Sequence, residues 1–269
     1  MSYIKSQQEI ALIIEGGKKM GEILEKLIPL VASGVSGFEI DAEAERLIRE
    51  AGGAPAFKGY KSHKNDPPFP GTLCFSLNEE VVHGIPTKNK IIQKGDVVTL
   101  DIGMKYPASH KSGGYYTDTA VTVAVGKVSK RVRDLIHVTQ EALEVGIEQV
   151  KIGNTIADIG RAIEKYVKKQ GKYGIVQDLV GHGVGHAVHE DPRVPNYEDR
   201  ELEQWEIVPG VVIAIEPMIS LGTWKVVMAP DGWSISTADK SLSAHFEHTI
   251  AVTEKGPVVV TRRPAELSV

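Results

Sequence analysis

An α+β fold made of two similar halves is predicted by three features of this chain. Amphipathic helical patterns come in pairs, a long one and then a shorter one, over residues 6–50 and again over 128–170. Each pair leads into a β-rich stretch, and several of the most apolar strands carry a single carboxylate. At 269 residues the chain can bury a substantial core and sits near the upper limit for one domain. One domain over 1–269 is therefore expected, with halves of about 1–126 and 127–269.

The elements follow in order. From Ser6 to about Leu30, Ile10, Ile13, Ile14, Ile23, Leu24 and Leu27 recur at helical spacing. After the turn Ser33 to Gly37, a second helix is expected from about Ile40 to Glu50, stopped by Gly52-Gly53. Lys61 to Pro70, with three prolines and little apolar character, reads as a surface loop. Thr72 to Val125 is rich in Val, Ile and Thr between Gly, Pro and Asp turns, as strands are. A long helix is expected from Val128 to Val150, a turn at Gly153-Asn154, and a shorter helix from Ile156 to Gln170 that ends at Gly171. Ile175 to Val260 is again β-rich.

Composition removes several classes of function. The net charge is −4, the pI is near 6.2 and the lysines are scattered, so the clustered basic surface that nucleic acid requires is missing. No stretch approaches the ~20 apolar residues of a membrane span, and the N-terminus has no signal-peptide pattern, so a cytoplasmic protein is expected. The single cysteine, Cys74, cannot form an intrachain disulfide, which leaves packing to supply stability.

The strand Val97 to Ile102 is apolar apart from Asp101, and an isolated buried carboxylate is costly without a compensating partner. A second strand, Thr117 to Val123, contains Asp118, and the segment between them holds Pro107, Gly113 and Gly114, as a hairpin would. If Met104 faces Tyr115, then Asp101 faces Asp118, with Cβ atoms ~4.5–5.5 Å apart. A divalent cation would turn that repulsion into attraction, whereas the plainer alternative makes both aspartates turn caps. Val211 to Ile215 runs straight into Glu216, and in Phe246 to Val252 the alternation puts Glu247 on one face with Thr249 and Ala251. An edge-strand gatekeeper would explain one such glutamate but is a weak account of two.

In Gly181 to Glu190, His182 and His186 are spaced i, i+4, yet three glycines oppose a helix and no glutamate follows His182, so the helical zinc motif fails. A glycine-rich loop can still aim His182 and His189 into one site. Four carboxylates and a histidine suit a pair of hard or borderline cations. Two such ions ~3.5–4 Å apart generate hydroxide and polarise a carbonyl, which is hydrolytic chemistry.

The order Asp101, Asp118, His182, Glu216, Glu247 and the words around it resemble type I methionine aminopeptidase over nearly the whole chain. The matching segments are Ser76 to Pro86, Gly181 to Gly185, His189-Glu190, Ile215 to Met218 and Phe246 to Thr249. The resemblance implies the pita-bread fold, two pseudo-symmetric halves with helices outside a central antiparallel sheet. It implies two divalent ions, with Asp118 and Glu247 bridging, Asp101 completing one ion, and His182 and Glu216 the other; Co, Mn, Fe and Zn all fit such ligands. It makes Glu216 a helper in proton transfer, places His83 and His189 on the substrate, and gives the methionine pocket to Phe57, Tyr60, Cys74 and Trp233. The implied substrates are N-termini of nascent polypeptides beginning with Met, met by a monomer in transient contact with the ribosome.

Three features depart from the family pattern. The loop between Asp101 and Asp118 and the stretch 61–70 are long, and Val188 stands where an aromatic residue is common. Two competing readings are a proline-specific aminopeptidase or dipeptidase of the same fold, and a non-catalytic peptide-binding module.

Overall fold

In the computed structural model, residues 3–267 are described except 63, 65 and 112. Helix α1 (Gln7–Leu27) begins where Ser6 and Glu9 satisfy each other's backbone N–H groups. It gives way to a single 3₁₀ turn, Ile28–Leu30, where Pro29 withholds the N–H that an α-helix needs. Helix α2 (Gly37–Glu50) starts three residues before the apolar periodicity suggests, because Ser36 and Glu39 form the same reciprocal cap. Helix α3 (Lys130–Ile147) and helix α4 (Ile156–Gln170) form the second pair.

The strands of the first half are β1 (Ala54–Pro55), β2 (Leu73–Leu77), β3 (Glu80–Val82), β4 (Val97–Tyr106) and β5 (Tyr115–Ala124). Those of the second are β6 (Gly174–Ile175), β7 (Gly181–Gly183), β8 (Glu190–Val194), β9 (Val212–Ile215), β10 (Met218–Ser220), β11 (Val226–Met228), β12 (Ile235–Thr237), β13 (Ser243–His245), β14 (Glu247–Thr253) and β15 (Gly256–Val259). The main sheet runs β1-β4-β5-β14-β9-β7-β8, with β2 also on β4 and β15 also on β14, and all its pairs are antiparallel. Two three-stranded sheets, β13-β10-β6 and β11-β12-β3, flank it.

Alternation along the central strands sorts their residues by face. Val98, Leu100, Ile102 and Met104 of β4, with Ile250 and Val252 of β14, join an apolar core that includes Leu24, Ile40, Leu135 and Ile159 from all four helices. Thr99, Asp101 and Gly103, and likewise Glu247 and Thr249, project the other way.

The β4–β5 register differs from the expected one. Met104 lies opposite Thr117, Asp101 opposite Ala120, and Asp118 opposite Gly103, because the hairpin strands extend to a Tyr106–Tyr115 pair. The shift is by two residues, so both aspartates keep their face. They become diagonal neighbours, ~7–8 Å apart at Cα, which relieves the repulsion that direct opposition would impose.

Candidate metal centre and its pocket

Sheet register assembles the site. Cys74 on β2, Asp101 on β4, Ala120 on β5 and Glu247 on β14 form one transverse row. Ala120 in the middle of that row leaves room between the two acids. His182 on β7, Ala214 on β9 and Thr249 on β14 form a neighbouring row on the same face. Backbone pairing of β5 with β14 is short, and hydroxyls extend it: Thr249 Oγ1 accepts the Asp118 N–H at 2.9 Å and donates to the Asp118 carbonyl at 2.8 Å. Thr119 Oγ1 donates to the Glu247 carbonyl at 2.8 Å, so both acidic residues are held by the same clamp.

Donor atoms of Asp118, His182 and Glu247 lie within 4.8 Å of one another. Glu216, just past the end of β9, reaches His182 Nε2 at 3.6 Å with one oxygen and His245 Nε2 at 3.3 Å with the other. Asn196 donates to the Glu216 carbonyl at 3.0 Å and fixes its backbone. The His182 Nδ1 to Gly183 carbonyl contact of 3.0 Å makes Nδ1 the protonated nitrogen and leaves Nε2 free as a donor to a cation.

Among the described residues no lysine or arginine pairs with Asp101, Asp118, Glu216 or Glu247, and Asp101 Oδ1 is buried without a partner. Burial, and for Asp101 also the neighbouring Glu216, pushes Asp101 up to about 7. Burial pushes Glu216 up to about 8. Asp118 and Glu247 rise well above the carboxylate range through burial first and a neighbouring acid's charge second, that of Asp101 for Asp118 and that of Asp118 for Glu247. Burial drives His182 down to about 3 and keeps it neutral, the form that ligates metals. Crowded, uncompensated carboxylates with an orphaned oxygen and a neutral imidazole fit a divalent cation.

The acids floor a cavity of about 540 Å³. Every metal, catalytic and pocket residue that the family resemblance implies lines it: Phe57, Tyr60, Cys74, His83, Asp101, Asp118, His182, His189, Glu216, Trp233 and Glu247. Phe57 enters because Gly103 has no side chain; a Cβ there would sit 2.6 Å from the Phe57 ring. Burial, then the charge of Asp101, pushes the Cys74 thiol well up, so this wall is a neutral sulfur. His83 adopts φ 57°, an uncommon left-handed backbone for histidine that directs its ring toward Trp233, 6.3 Å between centroids. His189 stands exposed at the mouth, its Nδ1 2.7 Å from the Tyr60 hydroxyl and its ring edge-on to His182 at 4.4 Å. His186 turns away and meets Glu9 of α1 at 2.8 Å.

The stretch 61–70 is not wholly a surface loop. Phe69 is 3% exposed, packs edge-on against Trp233 at 5.3 Å and lines the cavity, while Pro67 accepts the Trp233 indole N–H. A lone aromatic among prolines was its only sequence signal. Val188 is buried with Phe57, Cys74 and Trp233. His245, beside Glu216, escaped the sequence reading; its i−2 spacing from Glu247 was the available clue.

Residues 11–254 match the model of metallopeptidase family M24. A methionine aminopeptidase of Clostridium acetobutylicum is 40% identical over 97% of this chain and 99% of its own length. One from Aquifex aeolicus is 42% identical over 95% and 97%. The crystal structure of a methionine aminopeptidase from Thermotoga maritima superposes with a TM-score of 0.87 at 36% identity, covering 97% of this chain and 99% of that one. The pita-bread arrangement, the buried acids and these full-length likenesses agree, and the chain belongs to metallopeptidase family M24.

Proposed function

We propose that this chain is an aminopeptidase that removes the initiator methionine of nascent polypeptides, with two divalent cations held by Asp101, Asp118, His182, Glu216 and Glu247. One observation carries the reading: these five ligand-type side chains, four buried and Glu216 partly so, floor an apolar, sulfur-lined pocket in a chain 40% identical over 97% of its length to a methionine aminopeptidase. Strand order supports the division of labour. Across β4-β5-β14-β9-β7, Asp118 and Glu247 occupy the middle strands, Asp101 one flank, and Glu216 with His182 the other. That order supports the reading in which the central pair would be shared if two ions were bound.

Bound there, divalent cations lower the pKa of water and polarise a carbonyl. The remaining work falls to the side chains. In this reading the Glu216 carboxylate would take the proton of the attacking water. With the Tyr60 hydroxyl donating to Nδ1, His189 carries its proton on Nε2 and offers it to the carbonyl oxygen as charge develops. His83 orients the substrate from the opposite wall. Phe57, Tyr60, Cys74 and Trp233, joined by Phe69, enclose an unbranched apolar side chain.

The same reading takes residues 1–269 as a single catalytic domain with halves meeting near residues 126 and 127, supported by the apolar core that the helices of both halves share. It takes the protein as a cytoplasmic monomer in transient contact with ribosomes, which gel filtration and ribosome pelleting test. Among the described residues no helix is long and apolar enough to cross a membrane.

The functional test is kcat/KM with Mn(II) at one pH. Met-Ala-Ser is expected to be cleaved far better than Lys-Ala-Ser, whose ammonium would be desolvated without a partner. Leu-Ala-Ser should be rejected less strongly, since apolar side chains of similar size differ by only ~1–3 kcal/mol. Equal rates on Lys-Ala-Ser and Met-Ala-Ser point to a broad aminopeptidase. Preference for Ala-Pro points to a proline-specific enzyme, and no cleavage of any peptide to a binding module.

A further inference from the structure

The residues ahead of α1 reach the loop that carries His189. The Lys5 side chain is wholly buried, with Nζ 2.5 Å from Glu190 Oε1 and 3.0 Å from the Tyr3 carbonyl. Its stem lies against Gly185, where an added Cβ would meet Lys5 Cε at 2.8 Å. The same Glu190 oxygen accepts the His186 N–H at 3.2 Å, and His186 in turn meets Glu9 on α1. Lys5 is itself tied down, its N–H donating to the Gly210 carbonyl at 2.8 Å.

This clamp sits where the sheet cannot hold the chain. The β7–β8 ladder breaks register between His182 and Gly183, so that Gly183 faces Glu190 while residues 184–189 loop out. Few backbone bonds anchor that loop: Val184 N–H to the Val212 carbonyl at 3.1 Å at its start, Gly185 N–H to the Ala187 carbonyl at 3.1 Å, and Tyr116 N–H to the Gly185 carbonyl at 2.8 Å. A buried ammonium is expensive where an apolar chain of the same length would fill the space, and an ion pair fixes direction as apolar contact does not. His189 is the residue next to Glu190.

We propose that Lys5, acting through Glu190, is a positioning residue that holds the His189 loop against the active site. The inference rests on the reading of His189 given above. Misplacement of a catalytic group by about 1 Å can cost 10²-fold, so removing the clamp is expected to act on kcat.

The experiment compares Lys5→Met, Lys5→Arg and Glu190→Gln in the full-length Mn(II)-loaded protein, each with and without His189→Ala. His189→Ala alone should lower kcat by about 10²–10³. Lys5→Met and Glu190→Gln should lower it by about 10- to 100-fold, with KM and metal content near the parent's. Lys5→Arg should recover most of the loss, although it is the bulkier change. In the His189→Ala background the same substitutions should cost little more, because both act on one group. Equal fractional losses in both backgrounds, or Lys5→Met as active as Lys5→Arg, would overturn the proposal.

Ring resonances of ¹⁵N-histidine give a second readout independent of turnover. The His189 signal, identified by its absence from His189→Ala, should shift or broaden in Lys5→Met; an unchanged signal defeats the clamp. If His189→Ala leaves kcat intact, the reading of His189 fails instead. Should Lys5→Met not fold, Glu190→Gln, which keeps side-chain size, decides by the same criteria.

Discussion

A buried aspartate with no lysine or arginine beside it must hold either a proton or a cation. Asp118 faces that choice, since burial and then the charges of Asp101 and Glu216 all favour its protonated form. A bound divalent ion reverses each of those preferences. Asp118→Asn keeps the shape and removes the charge, so its two effects should oppose. The variant should lose at least one equivalent of metal and at least ~100-fold in activity, yet its metal-free form should melt higher than the parent because one crowded carboxyl has gone. Glu247→Gln should behave alike, being the other central acid. Metal analysis after dialysis and scanning calorimetry of the chelated proteins check both halves. Parent-like metal content in either variant would remove it from the proposed ligand set.

At the scale of elements, the site depends on where strands begin. Asp41 on α2 is buried and accepts the N–H groups of Thr72 at 2.6 Å and Leu73 at 3.0 Å, which sets the start of β2 and hence the position of Cys74 opposite Asp101. Asp41→Ala leaves two buried donors unsatisfied, at ~1–3 kcal/mol each, so denaturant unfolding should show a loss of ~2–6 kcal/mol. Selectivity for Met over Leu should fall as well, since one pocket wall loses its anchor; unchanged unfolding would show that water replaces the carboxylate. Elements whose signal is local were legible in the sequence: α4 has its expected ends, and the acids betrayed themselves as charges within apolar strands. The β4–β5 register was not, because alternation fixes the face but not a shift by two. The start of α2 was hidden for another reason, since the Ser36–Glu39 cap precedes the apolar stripe. Phe69 and His245 were missed because their neighbours in space lie far away in sequence.

For the molecule as a whole, a stack of raised carboxylates makes stability depend on both pH and metal. Asp101 at about 7 and Glu216 at about 8 titrate near 4 once unfolded, so over that interval the folded, metal-free protein holds more protons than the unfolded chain. Stability from these groups is complete below about 4 and lost as pH rises through 7 to 8. The histidines around the site act in the opposite sense. His83 at about 4, and His182 and His245 at about 3, are neutral in the fold and charge near 6.5 when unfolded, so their contribution grows with pH and is complete above that value. Below 6.5 the two trends offset each other; above it only the carboxylates still titrate. The metal-free protein should therefore melt lower at pH 8.5 than at pH 6.5. With Mn(II) bound, the carboxylates are held deprotonated and that decline should largely vanish, so the rise in Tm on adding metal should be larger at pH 8.5. Calorimetric scans of chelated and Mn(II)-loaded protein at the two pH values measure both gaps. If the gaps are equal, the acids are not the groups that exchange protons for metal, and the stability of this fold is indifferent to the charges buried at its centre.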